Sequence, residues 1–240
     1  MRLIAAVVFS VLMILFQARE ARSQTDAHGG VAVKLSTLGI GFDGAAAVNE
    51  RSNVRVGVNF FNFNHDFDND GITLAAHLKM RSVTAQFDWF PFAGGFHVSP
   101  GLMLYNGNRV EATASAPGGK QFNLGDDRLI SNPANPVTGS ATVSFKKVAP
   151  SLVFGWGNIA SRGNRRWSIP VDLGVVFSKA PTAALALGGS ACLANGTNCR
   201  NIATDPTLQA DLRKQEANLN DDLSALKLIP VISFGFGYRF

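Results

Sequence analysis

The chain ends with the nonapeptide Ile232-Ser233-Phe234-Gly235-Phe236-Gly237-Tyr238-Arg239-Phe240. Apolar or aromatic side chains occupy every second position, and small or polar residues stand between them. A period of two is the period of an extended strand, whose successive side chains point to opposite faces. The end of the chain is therefore predicted to be a β-strand with one apolar face and one small, polar face.

The same alternation recurs upstream, most clearly in residues 54–60, 72–81, 96–105 and 167–178. A soluble β-sandwich also alternates, so a secreted soluble β protein is an alternative. The alternating segments are longer than ordinary strands of about five or six residues. Small residues crowd the polar face and aromatic residues cluster near segment ends, as expected where a barrel meets lipid outside and a narrow lumen inside. These features favour a membrane barrel.

Counting strands gives six clear segments near 53–65, 71–90, 95–115, 139–157, 166–187 and 227–240. A seventh, at 31–48, changes phase at Ser36–Leu38, so residues 30–36 and 39–48 are predicted to be two short strands. The prediction is an all-β fold: an antiparallel up-and-down transmembrane β-barrel of eight strands with one amphipathic helix in a long loop. Short connections are expected at the end of the barrel that carries the termini, and long ones at the other end.

The C-terminal nonapeptide resembles the assembly signal of bacterial outer-membrane barrels, a last strand that closes on a terminal Phe. The resemblance implies that the barrel-assembly machinery recognises this strand. The residues to which it assigns the signal are Phe234, Phe236, Tyr238 and Phe240. In layout, the chain also resembles the small porin-like barrels of the OmpA and OmpW type, which implies a Gram-negative outer-membrane location and transfers no functional residue.

The first 23 residues are predicted to be a signal peptide, because Arg2 precedes the apolar run 3–16 and Ala21-Arg22-Ser23 suits a signal peptidase. Residues 24–240 would then form the exported barrel domain, a monomer in contact with outer-membrane lipid. The net charge of +5 lies partly in the signal segment, and no basic run with interleaved aromatic residues follows it, so nucleic-acid binding is not expected. An exported chain meets an oxidising compartment, which predicts a disulfide between Cys192 and Cys199.

A set of polar side chains is predicted to line the lumen. An eight-stranded barrel is just wide enough for side chains to fill, and enclosed charges are costly unless they are paired. The favoured interpretation is therefore a network of ion pairs that fills the interior, and the alternative is a narrow, slightly basic path for anions. The predicted members are Arg55, His77, Lys79, Arg81, Asp88, Glu111, Lys146, Asp172 and Arg239.

A hydrolase is the alternative function. Asp88, His97 and Ser99 flank the turn at 91–95 on the predicted lumen face, and these residue types can form a catalytic triad. Satisfied hydrogen bonds inside a barrel explain the group equally well, and nothing in the sequence suggests an oxyanion hole. A non-enzymatic barrel with a structural role, or one that binds or passes a small solute, is the preferred function.

Two further motifs lie in predicted loops. Residues 66–71 read Asp-Phe-Asp-Asn-Asp-Gly, which offers Asp66, Asp68 and Asp70 as calcium ligands, but His77 stands where the bidentate Glu of a calcium loop belongs. A polar turn is the simpler interpretation, and no cofactor is expected. Residues 205–226 have helical periodicity, with Asp205 as a cap, and predict a helix that packs on a loop or covers the barrel mouth.

Overall fold

A computed structural model of the chain describes residues 29–69, 72–92, 94–125, 127–160 and 166–240. The predicted signal peptide therefore lies outside the described residues. The described part contains sixteen strands and one helix. Their bounds are β1 Gly29–Ser36, β2 Gly39–Asn49, β3 Ser52–Asn69, β4 Ile72–Trp89, β5 Phe96–Asn106, β6 Arg109–Ala116, β7 Gln121–Leu124, β8 Asp127–Ser131, β9 Val137–Ser144, β10 Ala149–Trp156, β11 Trp167–Ser168, β12 Val171–Phe177, β13 Thr182–Gly188, β14 Ser190–Leu193, β15 Arg200–Asn201, α1 Pro206–Leu223 and β16 Leu228–Arg239.

Eight antiparallel strands close into a barrel in the order β1, β2, β3, β4, β5, β10, β12 and β16. The last strand pairs with the first over seven residues, from Gly30 opposite Arg239 to Ser36 opposite Ser233. Phe240 donates its backbone N–H to the carbonyl of Gly29, which extends this seam by one position. The prediction of an eight-stranded antiparallel barrel is confirmed, including the division of residues 30–48 at Thr37–Leu38.

The two ends of the barrel differ in their connections. The end that carries Gly29 and Phe240, called the terminal end below, has the connections at residues 50–51, 90–95 and 157–166. The opposite end, called the loop end, carries the turn at 37–38, the far ends of β3 and β4, and the longer connections between β5 and β10 and between β12 and β16. Short connections therefore share an end with the termini, as the sequence predicts.

At the loop end, the sheet of the barrel continues on one side beyond the barrel wall. This continuation consists of residues 61–69 of β3, residues 72–79 of β4, and β6, β9 and β13, and is called the upper sheet. This sheet explains why three long predicted segments are each divided in the structure: their lower parts close the barrel and their upper parts belong to the upper sheet.

A small capping unit packs against the upper sheet. It contains the four-stranded sheet β15-β14-β8-β7 and α1. Its core joins Leu124, Leu129, Ile202, Leu208 and Leu212 to inward side chains of the upper sheet, among them Val137. Cys192 and Cys199 form the predicted disulfide beside this core. The predicted helix is also confirmed, with Asp205 as its N-cap, although Leu226 lies outside it and is exposed.

The outward face of the barrel wall is apolar. Its exposed side chains include Val33, Phe42, Phe154, Leu173, Ile232 and Phe234. The inward face carries buried charged and polar groups, as described below. Apolar outside and polar inside is the polarity of a barrel in lipid rather than of a soluble β protein. No helix in the described ranges is both long and apolar enough to span a membrane.

Candidate functional site

Arg55 is the centre of a buried ion network in the terminal half of the lumen. It lies on β3 with only 2% of its surface exposed. Its guanidinium donates to Asp172 on β12 at 2.7 Å and to Asp88 on β4 at 3.0 Å, and it lies 3.6 Å from Asp43 on β2. One cation from one strand therefore ties together carboxylates from three other strands. The planar fork of Arg suits this task, because it donates in several fixed directions.

A second ion pair lies beside the first. Lys34 on β1 contacts Asp43 at 2.6 Å, and both side chains are buried. Gly57 on β3 faces this pair, and a Cβ at that position would collide with the carboxylate of Asp43. Small residues on the inward face thus make room for the charged groups, which is why glycine recurs between the apolar residues of the sequence.

Hydroxyl and imidazole groups supply further contacts to two of the carboxylates. Ser99 donates its hydroxyl to Asp88 at 2.6 Å, and Ser233 donates to Asp172 at 3.3 Å. The Nε2 atom of His97 lies 3.1 Å from Asp172. Buried charges are stabilising only when partners of this kind satisfy their hydrogen-bonding capacity. The lumen of the barrel is therefore occupied by side chains that hold one another in place.

The residues of the hydrolase alternative are close together but not in the order of a catalytic triad. Ser99 bonds to Asp88 rather than to the imidazole, and His97 bonds to Asp172. All three predicted side chains are at most 3% exposed. In a catalytic triad the serine hydroxyl bonds to the imidazole, so the contacts of Ser99 and His97 differ from that order, and the Ser99 hydroxyl is buried.

Both ends of the lumen are closed by packed apolar side chains among the described residues. At the loop end, Leu38, Met103, Ala149 and Val176 form a buried cluster. At the terminal end, Ile159 and Ala160 fold inward from the 157–160 segment and pack against Ala32 and Ala45. Asn53 holds that segment by donating to the side chain of Asn158 at 2.8 Å.

A cavity of about 20 Å³ remains between the network and the loop-end cluster. It is lined by Lys34, Ser36, Thr84, Ser151 and Ser233, among others. A cavity needs about 10–15 Å³ to hold one water molecule, so this space suits water and is too small for a metabolite.

Three predicted lumen residues lie in this network, namely Arg55, Asp88 and Asp172. His77, Lys79 and Arg81 do not, because the apolar side chains change from the even-numbered to the odd-numbered positions along β4 while the strand itself keeps one register with β3. Ser82, Thr84 and Asp88 are the buried, inward residues of β4, so odd-numbered residues point outward along the whole strand. The apolar residues 72–80 therefore face inward above the barrel rather than outward to lipid, which is a correction to the sequence interpretation.

The other predicted lumen positions also lie outside the network. Glu111 pairs with Lys79 at 2.5 Å and with Arg109 at 3.0 Å on the outward face of the upper sheet, and the bond from Lys79 holds the pKa of Glu111 below its usual value. Lys146 is exposed in the link between β9 and β10, and Arg239 is half-buried at the terminal end. Sequence reasoning missed Lys34 and Asp43, although the alternation of β1 and β2 would have assigned both to the inward face.

The residues of the calcium motif lie in an extended hairpin. Asp66 and Asp68 pair with Ala75 and Thr73 in the β3–β4 ladder, so they stand two residues apart on one outward face instead of converging in a coiled loop. Asp70 lies outside the described residues. Among the residues that the structure describes, no group of three or more acidic, His or Cys side chains could hold a metal ion.

The residues of the predicted assembly signal lie at the seam of the barrel. Phe234 and Phe236 are exposed on the outward face of β16, and Phe240 is 73% exposed at the terminal end. Trp167 stacks on Phe236 at 5.0 Å and contacts the ring of Tyr238 at 4.9 Å. Trp89 and Trp156 are also exposed near this end, so all three tryptophans of the chain lie at the terminal rim.

An exposed aromatic row lies on the inward face of the upper sheet. Phe61, Phe63 and Phe67 follow Asn59 on the inward face of β3 and are 39%, 52% and 51% exposed. His65 lies between them, with ring centroids 6.0 Å from Phe63 and 4.4 Å from Phe67. The row overlooks the loop end of the barrel, and the sequence analysis assigned no face to these residues.

The outward apolar band and the inward ion network define a closed transmembrane β-barrel. Two solved structures have a similar fold. CarO of Acinetobacter baumannii matches with a TM-score of 0.51 at 20% identity, over 88% of this chain and 97% of that chain. CarO2 of the same organism matches with a TM-score of 0.53 at 18% identity, over 90% of this chain and all of the other. No family model matches the sequence, and no curated protein matches it.

Proposed function

We propose that this chain is a bacterial outer-membrane barrel whose transmembrane part is a filled, non-conducting anchor for the upper sheet and the capping unit. The observation that carries the proposal is the buried network around Arg55, closed by apolar clusters at both ends of the lumen. A pore for even a small solute would have to break ion pairs whose members are buried, and breaking such a pair costs about 3–5 kcal/mol. The role is structural or binding rather than one of passage.

The test is single-channel recording of the refolded chain in a planar bilayer. Folding is checked first by heat-modifiable migration on a denaturing gel, so that a failure to fold or insert is not mistaken for a closed barrel. The expected result is no discrete conductance step from the folded barrel. Reproducible unitary steps from folded protein would overturn the proposal and revive the alternative of a narrow path for anions.

The proposed binding surface is the aromatic row above the mouth of the barrel. An exposed apolar patch on a soluble surface usually marks a binding site, and the three Phe side chains offer flat faces to an apolar or aromatic solute. Replacing Phe61, Phe63 and Phe67 with Ser should abolish the brightening of an apolar fluorescent dye at this site. Replacing Asn62 and Asn64, on the opposite face, with Ser is the matched control and should leave the dye signal unchanged.

The proposal includes a non-enzymatic role. Replacing His97 with Ala should leave any measured phenotype of the barrel unchanged apart from a loss of stability. A lipid or peptide hydrolase activity of the refolded chain that vanishes in His97→Ala but survives in Ser151→Ala, another substitution in the lumen, would support the enzyme alternative.

A further inference from the structure

We propose that a cationic patch on the loop-end rim of the barrel binds the phosphate groups of anionic lipid headgroups in the surrounding leaflet. The patch consists of Lys79, Arg81, Arg109, Lys146 and Lys147. Lys79 and Arg81 lie on β4, and Arg109 lies opposite Lys79 on β6. Lys146 and Lys147 lie in the link between β9 and β10, so the patch is assembled from separate parts of the sequence.

The position of the patch is fixed by the change of polarity on the outward face. On β3 this face carries Val54 and Phe60, and then becomes polar from Asn62 to Asp68. Arg81 lies directly opposite Phe60 in the β3–β4 ladder, at the level where the change occurs. The barrel therefore leaves the hydrocarbon core at this level, and the next few ångströms lie among the headgroups.

The other members of the patch lie at or just above the same level. Lys79 is two residues beyond Arg81 on the same face of β4, and Arg109 is its cross-strand partner on β6. Lys146 and Lys147 come just before β10, where Val148 and the neighbouring Leu104 on β5 are still exposed apolar residues. The apolar band thus ends directly beneath the charged side chains.

The charge of the patch is mostly uncompensated. Glu111 neutralises part of it through its contacts with Lys79 and Arg109. Arg81, Lys146 and Lys147 are all exposed, and none forms an ion pair with a carboxylate in the described part of the chain. Five cations and one carboxylate leave four positive charges at the edge of the apolar band.

The setting of the patch identifies its partner. A cationic surface at this depth faces headgroups rather than bulk solvent, and phosphate is the anion that Arg and Lys bind through charge-assisted hydrogen bonds. The two rims of the barrel differ accordingly. The terminal rim carries Trp89, Trp156 and Trp167, which suit an interface generally, whereas the loop-end rim carries the cations, continued by exposed Lys179 and Lys227.

The test compares two triple variants with the same change in net charge. Arg81→Gln, Lys146→Gln and Lys147→Gln remove the unpaired cations of the patch. Arg51→Gln, Lys120→Gln and Arg213→Gln remove three exposed cations that lie in the terminal-end turn, in the capping region and on α1. The refolded full-length chain is held in neutral micelles containing phosphatidic acid and phosphatidylcholine, and native mass spectrometry measures the lipid retained on the barrel.

The patch triple should weaken retention of phosphatidic acid by about tenfold or more, since each basic residue near a membrane surface contributes about 1 kcal/mol. The control triple should retain it like the parent chain. Equal loss in both triples, no loss in the patch triple, or equal retention of phosphatidylcholine by the parent would overturn the proposal. Competition by inorganic phosphate at the same concentration would also overturn it, because the ligand would then be a free anion.

Lys146→Gln with Lys147→Gln provides a second variant that leaves every strand untouched. It should give part of the loss seen in the triple and fold like the parent, as judged by heat-modifiable migration. A fully folded double variant with unchanged retention would count against the patch even if the triple variant failed to fold.

Discussion

Arg55 shows how one side chain can organise the interior of a narrow barrel. Its three carboxylate partners come from β2, β4 and β12, and the hydroxyls of Ser99 and Ser233 complete the shells of two of them. Removing one partner of a buried ion pair leaves the other charge uncompensated. The free energy of unfolding then falls by more than the pair itself contributes to stability. The network is thus sensitive to Arg55 above any other residue in it.

Replacing Arg55 with Leu is predicted to lower the free energy of unfolding by about 3–5 kcal/mol, because three buried carboxylates would lose their shared cation. Urea unfolding of the chain folded in vesicles measures the effect. The matched control is Arg51→Leu in the exposed β2–β3 turn, which should change stability by about 0.5 kcal/mol at most. Equal effects of the two substitutions would show that the buried network does not hold the barrel together.

The alternation of the sequence was sufficient to predict these inward charges in the parts of the strands that form the barrel wall. Arg55, Asp88 and Asp172 could be assigned to the lumen because their neighbours are large, apolar and lipid-facing. The same reasoning failed at His77, Lys79 and Arg81. Apolar and polar residues still alternate there, but above the barrel wall the apolar side chains face inward and the polar ones face outward. Periodicity reports that faces differ, but it does not report which face meets lipid.

At the scale of the element, β13 and α1 depend on one another. β13 is the last strand of the upper sheet, and an unpaired edge invites pairing with other chains. Asn220 on α1 accepts from the backbone N–H of Ala183 and donates to its carbonyl, and Glu216 accepts from the N–H of Leu185. The helix thus supplies side-chain partners for the strand edge, which the sequence alone could not show.

Replacing Asn220 with Ala should expose the backbone of β13 and lower the stability of the capping unit by about 1–3 kcal/mol, the cost of unsatisfied buried groups. Hydrogen exchange at the Ala183 and Leu185 amides measures the change locally. Asn218 lies on an exposed part of the same helix, so Asn218→Ala is the control. Faster exchange in both variants alike would mean that helix propensity, and not the edge contact, is responsible.

The N-cap of α1 makes a prediction about pH. The backbone N–H groups of Leu208 and Thr207 and the guanidinium of Arg200 hold the pKa of Asp205 below its usual value. A depressed folded-state pKa adds stability that is present above the unfolded value of about 3.9 and is lost as the pH falls through the folded-state pKa.

Helical circular dichroism of the wild-type chain should therefore decrease as the solution is acidified below about pH 4. Asp205→Asn keeps a capping side chain without the titrating group and should flatten this dependence. An identical acid transition in the two proteins would show that the cap does not contribute to it.

At the scale of the whole molecule, the chain has one part suited to lipid and another suited to water. The barrel has the inverted polarity of a membrane protein, whereas the capping unit has an ordinary apolar core built around Leu208 and Ile202. The sequence predicted the barrel, its strand number, the disulfide and the helix, since each has a local signature. It did not predict the upper sheet, because that element arises from strands that continue past the membrane edge without any change of period.

The assembly signal belongs to this scale because it joins the ends of the chain. Deletion of Phe240 is predicted to lower the amount of folded barrel in the outer membrane without altering export, since the resemblance of the last strand implies recognition by the barrel-assembly machinery. Cell fractionation with heat-modifiable migration measures this. Deleting the exposed Phe92 at the terminal-end turn is the control, and an equal loss there would show that the effect is not specific to the C-terminus.

The orientation of the barrel wall can be measured directly at two positions of β12 that face opposite sides. Unlabelled Leu173→Cys should not react with water-borne thiol reagents in the refolded protein. When it is labelled with a fluorophore before refolding, its emission should be quenched by lipids that carry a nitroxide on the acyl chain. Val176→Cys, on the buried inward face, should respond to neither. Reaction of Leu173→Cys with a membrane-impermeant maleimide in intact vesicles, without lipid quenching, would contradict a wall whose apolar face meets lipid.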